Sequence, residues 1–149
     1  MQIQRARPED VAFLKRIAIA AFSPYIRRIG RKPAPMQADF PALVAAGEVW
    51  TLSHMVDIVG YIVMRPEHSS LHVENVAVHP EQHGHGFGRA LMDFAEGEAR
   101  RQGLERLDLY TNAKMRENAA FYSTLGWQET ARRNEQGFER IYFGKSISS

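Results

Sequence analysis

The sequence predicts an α/β fold of mixed α+β type, with one domain over residues 1–149, and three observations carry that expectation. Strand and helix signals follow one another as a strand, one or two helices, a three-strand meander, then helix, strand, helix and a closing hairpin. A chain of 149 residues can bury about 70% of its unfolded surface around one core, with no room for a second domain. Between Leu71 and Gly103 a period-two segment passes through a glycine-rich turn into a segment of helical period, and the other elements read as its support.

In chain order, Ile3 to Ala6 is a short strand. Pro8-Glu9-Asp10 then places a proline and two acids in the first turn of a helix. Its apolar face is Val11, Leu14, Ile17, Ala18 and Ala21, and Ser23-Pro24 ends it after Phe22. Tyr25 to Met36 holds two prolines, a glycine and four cations, a composition for a loop or a broken helix. Asp39 to Ala46 forms a second helix closed by Gly47. Val49 to Ser53 and Ile58 to Met64 pair antiparallel around a turn at Met55 to Asp57. Leu71 to Val78 extends that sheet. After the glycine turn and its helix, Arg106 to Thr111 is a strand and Met115 to Leu125 a helix ending at Gly126. Trp127 to Arg132 and Phe138 to Phe143 make a hairpin turning at Asn134 to Gly137.

In the Leu71 to Val78 strand, alternation puts Glu74, Val76 and Val78 on one face and Val73, Asn75 and Ala77 on the other, and Pro80 stops the strand. His83-Gly84-His85-Gly86-Phe87-Gly88 follows, with glycines at alternate positions, so the backbone can take positive φ and approach a ligand closely. From Phe87 a helix runs through Ala90, Leu91, Phe94 and Ala95 to Arg100, Arg101 and a terminating Gly103. Free amides and the positive end of the helix dipole converge there on one point, which makes an anion site suited to a phosphate or pyrophosphate. The P-loop is excluded because Gly88 is followed by Arg89-Ala90 rather than Lys-Ser/Thr. The dinucleotide fingerprint is disfavoured by the glycine spacing.

The stretch resembles the coenzyme A pyrophosphate loop of the GNAT-type N-acetyltransferase superfamily, an Arg/Gln-x-x-Gly-x-Gly/Ala pattern after a Val-x-Val-x-Pro strand, with His83 standing where Arg or Gln is usual. Asn118-Ala-Ala-Phe-Tyr122 followed by Leu125-Gly126-Trp127 is similar to a later segment of the same family. The resemblance covers nearly the whole chain. It implies a central, mostly antiparallel mixed sheet, splayed between two parallel strands matching Leu71 to Val78 and Arg106 to Thr111, with helices on both faces. It also implies acetyl-CoA as cosubstrate, held by Val76, Ala77 and Val78 pairing with the pantetheine arm as an added strand, and by His83, Gly84, His85, Gly86, Phe87, Gly88 and Arg89 at the pyrophosphate. Asn118 is a further cofactor contact. An amide near Val76 would polarise the thioester carbonyl.

Two residues carry the expected chemistry. An amine with a pKa near about 10 must lose a proton before it attacks a thioester, and a carboxylate can take that proton directly or through water. Glu74 is the candidate base, and covering of its strand face would push its pKa up; the alternative is a surface glutamate on the outer sheet face. Tyr122 is the candidate acid for the departing thiolate, with a core tyrosine beside Phe121 and Leu125 as the alternative. The region after the first helix forms one wall of the acceptor site in the family, which nominates Tyr25, Arg28 and Met36. A loop carrying Arg27, Arg28, Arg31 and Lys32 repels a polyamine and attracts a carboxylate, favouring an amine that also bears an acid.

The expected activity is acetyl transfer from acetyl-CoA to a primary amine of a small molecule or peptide. The alternative is a noncatalytic acyl-CoA-binding or sensing module on the same fold. With no cysteine, an acyl-cysteine intermediate is excluded, and transfer is direct or uses another nucleophile. A net charge of +2 gives no ground for nucleic-acid binding, and no apolar run is long enough to span a bilayer. His79, His83 and His85 are read as a polar loop rather than a metal site. The N-terminus lacks a signal-peptide pattern, so a cytoplasmic protein is expected, and a homodimer stays open.

Overall fold

The computed structural model describes residues 1–147. Seven strands form one mixed sheet, β1 (Gln2–Arg5), β2 (Val49–His54), β3 (Asp57–Glu67), β4 (Ser70–Val78), β5 (Arg106–Asn112), β6 (Gln128–Glu135) and β7 (Phe138–Ser146). Their order is β1-β2-β3-β4-β5-β7-β6. The helices are α1 (Val11–Phe22), α2 (Ile26–Ile29), α3 (Phe40–Ala45), α4 (Phe87–Arg101) and α5 (Arg116–Thr124). This is the fold class expected. Pairing is antiparallel for β1–β2, β2–β3, β5–β7 and β6–β7. Strands β4 and β5 are parallel, from Ser70↔Arg106 to Val73↔Leu109.

The chain divides into two compact units, residues 1–64 with 75–93, and residues 65–74 with 94–147. In the first, α1 buries Leu14, Ile17, Ala18 and Phe22, the stripe its spacing dictates. The cationic segment is indeed a broken helix. A 3-10 turn at Ser23–Tyr25 leads into the single turn of α2, which Gly30 ends with φ 94°, and a second 3-10 turn covers Ala34–Gln37. Asp39 caps α3 by accepting the Ala42 amide at 3.1 Å. Phe40 meets Tyr61 edge-on at 5.3 Å. Tyr61, fully buried, donates to Asn75 Oδ1 at 2.9 Å, and Asn75 Nδ2 donates to the Pro35 carbonyl at 3.4 Å. That polar pair ties the Ala34–Gln37 turn to the middle of β4. Asn75→Ala is expected to cost about 1–3 kcal/mol, because the Tyr61 hydroxyl loses its acceptor inside the core. Urea unfolding checks it; a change in midpoint no larger than that of an exposed substitution would refute it.

In the second unit, Leu107 and Leu109 of β5 and Ile141 and Phe143 of β7 are buried with Leu71, Val73, Tyr122 and Trp127. Alternation leaves Arg106, Asp108 and Tyr110 on the other, more exposed face of β5. Gln136 and Gly137 take positive φ in the β6–β7 turn, where the sequence places it. Trp127, expected to open that hairpin, precedes β6 as a buried residue.

Candidate functional site

In the first unit, β4 ends at Val78 and a 3-10 turn over Pro80–Gln82 carries the chain into the glycines. His79 caps that turn, its Nδ1 accepting the Glu81 amide at 3.2 Å. The His83 ring Nε2 lies 3.2 Å from the Val78 carbonyl, so the ring braces the turn against the strand it leaves. Gly84 and Gly86 have φ of 86° and 77°, and a Cβ at either would meet no atom within 4 Å. These glycines are required by backbone conformation rather than by crowding, and the surface above them is open. The Gly86 carbonyl accepts the Ala90 amide at 3.0 Å, which opens the hydrogen-bond ladder of α4. The amides from Gly84 to Arg89 have no acceptor among the described residues. Phe87 is buried and stacks on His85 at 5.6 Å, which fixes the first helical residue beneath the turn. Arg89 is exposed and makes no ion pair among the described residues. Six free donors at a helix N-terminus with one exposed cation fit a pyrophosphate. His83 is spent on the Val78 carbonyl, leaving Arg89 as the cation within the turn.

Val76 and Val78 lie on the half-buried face of β4, with Ala77 on its buried face. The ladder to β5 ends at Val73↔Leu109, three residues before Val76. Tyr25 and Arg28 are joined, the guanidinium lying 5.1 Å over the ring, and Met36 sits half-buried in the Ala34–Gln37 turn that Asn75 secures.

In the second unit, Glu74 has a different setting from the covered one that would desolvate it. The buried face of β4 is that of Leu71, Val73, Asn75 and Ala77, and the Glu74 side chain keeps 28% of its exposure. Its Oε1 meets Arg65 Nη2 at 2.7 Å, and Arg65 Nε meets Glu67 at 3.3 Å. Tyr122 is buried, 6% exposed, among Phe121, Trp127 and Phe143 with ring separations of 5.6, 6.0 and 5.8 Å. Burial pushes its phenol pKa well above 10.0. The hydroxyl is protonated at neutral pH, as a donor must be, and burial makes it a weaker acid than an exposed phenol. Asn118 is half-buried one turn earlier on α5, its Nδ2 3.5 Å from Met115 Sδ.

The acetyltransferase (GNAT) domain family matches residues 45–129, more than half of the chain. The chain belongs to this family. The matched span of the GNAT domain holds Glu74, the glycine turn, Asn118 and Tyr122, whereas Tyr25, Arg28 and Met36 precede it. No curated protein matches the sequence. Solved structures do match the fold. The ribosomal-protein-S18-alanine N-acetyltransferase from Escherichia coli is 20% identical with a TM-score of 0.79, over 99% of this chain and 94% of that one. The PaiA N-acetyltransferase from Thermoplasma acidophilum, in complex with coenzyme A, is 14% identical with a TM-score of 0.78, over 97% and 98%. Ard1 from Thermoplasma volcanium is 18% identical with a TM-score of 0.78, over 99% and 98%. At these identities the likeness is one of fold.

Several residues of the GNAT site region were not singled out from the sequence. Arg65 reaches Glu74 across neighbouring strands, and Asn75 reaches Pro35 over 40 positions. His72 Nδ1 lies 2.6 Å from Asp108 Oδ1, 36 positions away. Strand register, and for Asn75 the packing of the Ala34–Gln37 turn, bring such pairs together, and no local spacing announces them. Among the described residues no group of three His, Cys, Asp or Glu side chains is placed to hold a metal ion, and no helix is long and apolar enough to cross a membrane.

Proposed function

We propose that this GNAT domain, with the whole chain acting as one unit, transfers an acetyl group from acetyl-CoA directly to a primary amine of a small molecule or peptide. The observation that carries the reading is the run of unpartnered amides from Gly84 to Arg89 at the start of α4, a donor set with no structural use of its own. Bound there, acetyl-CoA supplies a thioester whose acetyl carbon is electrophilic. The turn grips the pyrophosphate, and the backbone of Val76, Ala77 and Val78 pairs with the pantetheine amides as an added strand. Asn118 is a further contact to the coenzyme, and Tyr25, Arg28 and Met36 contact the acceptor.

Glu74 takes one proton from the substrate ammonium and frees the lone pair of the amine, which attacks the acetyl carbon; the new N–C bond forms, the C–S bond breaks, and the second proton shed by the nitrogen restores the Tyr122 hydroxyl. Tyr122 gives its proton to the sulfur that leaves. Tyr122→Phe removes that donor and little packing, so kcat is expected to fall about 100-fold or more while KM for acetyl-CoA stays put. Free-thiol release in steady state checks it, and full activity would return Tyr122 to the core. The raised phenol pKa has a stability consequence. Stability from keeping Tyr61 and Tyr122 neutral is fully present below an unfolded-state pKa of about 10 and is lost as the pH climbs beyond it.

The ion pair of Glu74 with Arg65 favours a second reading, a noncatalytic acyl-CoA-binding module, since it occupies one oxygen of the candidate base. Calorimetry with acetyl-CoA and thiol release across amino acids, peptides, polyamines and aminoglycosides separate the two. No binding at millimolar ligand removes both; binding without thiol release from any amine leaves the binding module.

A further inference from the structure

The second unit carries a cleft of about 510 Å³ lined by Arg65, Glu67, His72, Arg106, Asp108 and Tyr110, with β6 and β7 residues closing it. We propose that this cleft is the acceptor subsite, selecting an extended peptide whose free amino end is followed, about 13 Å along, by a carboxylate. The proposal rests on the acetyltransferase reading for what happens to the amino end, and on the cleft alone for the carboxylate.

Alternation along two parallel strands builds a row of polar groups on one face. Arg106, Asp108 and Tyr110 share the more exposed face of β5, and His72 stands directly across from Asp108 in the register. Glu74 follows His72 on the same face of β4, one step beyond the last paired position. The row therefore runs from Glu74 and Tyr110, through His72 and Asp108, to Arg106. Arg106 and Tyr110 are four residues apart, about 13 Å at strand rise, which is the span of three to four extended peptide residues.

Each station has its own chemistry. Arg106 is exposed and makes no ion pair among the described residues. Its guanidinium lies where a side chain on Gly144 would begin, beside the Thr130 methyl, so the glycine in β7 is the seat of the cation. A guanidinium so placed takes a carboxylate in fork geometry. In the middle, a carboxylate can only accept, so His72 donates to Asp108 through Nδ1. Nε2 is left without a partner among the described residues, suited to a backbone group of a peptide. At the far end Glu74 receives the amino group, with Arg65 held between Glu67 and Glu74. A polyamine fits this row poorly, because its second cation would meet Arg106.

The test compares tetraalanine with a free C-terminus, its C-terminal amide, and Ala-Ala-Ala-Asp amide, whose side-chain carboxylate lies at a similar distance from the amino end, in thiol release with acetyl-CoA and in calorimetry with peptide alone. Both carboxylate-bearing peptides are expected to exceed the plain amide by about tenfold or more in kcat/KM, chiefly through KM, and in affinity. Arg106→Gln is expected to abolish the preference. Gly144→Ala, which keeps the charge and displaces it, is expected to weaken the preference, with thermal melting confirming that both variants fold. Equal use of acid and amide, or a preference that survives both substitutions, overturns the proposal. Carboxylate-dependent peptide binding without thiol release would refute the transferase reading and keep the cleft. Thiol release without discrimination would do the reverse.

Discussion

Glu74→Gln is expected to lower turnover about 100- to 10,000-fold while acetyl-CoA affinity holds. Glutamine keeps the shape and removes the proton acceptor. Arg65 loses one carboxylate and retains Glu67, so the substitution does not leave the cation stranded. The loss is expected to deepen as the pH falls, because a protonated amine depends on the base and an already neutral one does not. A pH series of kcat/KM for wild type and variant reads this directly. Parallel curves would move the proton-accepting role elsewhere, and His72, two residues earlier on the same strand face, is the first place to look.

The second large effect concerns the anion turn. Gly86→Val places a β-branched residue at φ 77°, where L side chains are strained by about 1–2 kcal/mol or more. No atom lies within 4 Å of the new Cβ position, so the chain can relieve the strain by turning its backbone rather than by unfolding. That rotation re-aims the amides on either side. The loss of two hydrogen bonds to a charged phosphate, at about 1.5–3 kcal/mol each, predicts a fall in acetyl-CoA affinity of about 100-fold or more. Calorimetry measures the affinity, and a thermal melt shows whether the fold persists. Unchanged affinity in a folded variant would remove the turn from the coenzyme site.

The turn was legible in the sequence because its signals are local. Three glycines at alternate positions, a preceding alternating strand and a following helical stripe each report on neighbours within a few residues, and the structure puts positive φ at Gly84 and Gly86. The strands and the longer helices were legible for the same reason. The surroundings of Glu74 were not. Which face of β4 is covered depends on what packs against it, and the buried alternate set turns out to be that of Val73 and Asn75. Arg65, a lone cation in an apolar strand, gives no sign of its partner until β3 and β4 lie side by side. His72 has no local spacing signal, because its partner is Asp108, one crossover away. The Gly144 seat is a vacancy filled by a side chain from another strand, invisible to any reading of the glycine's own neighbours.

The parallel pairing of β4 with β5 also bears on how the molecule is assembled. It joins positions 36 apart, as His72 and Asp108 are, and the intervening chain is the glycine turn followed by α4. Closing so long a loop costs entropy before any contact repays it, so this pairing belongs among the slower events of folding. The turn lies inside the closed loop, and its amides converge only once α4 has formed behind them. On the proposed reading, the grip on the pyrophosphate therefore waits on α4 and not on the turn's own residues alone.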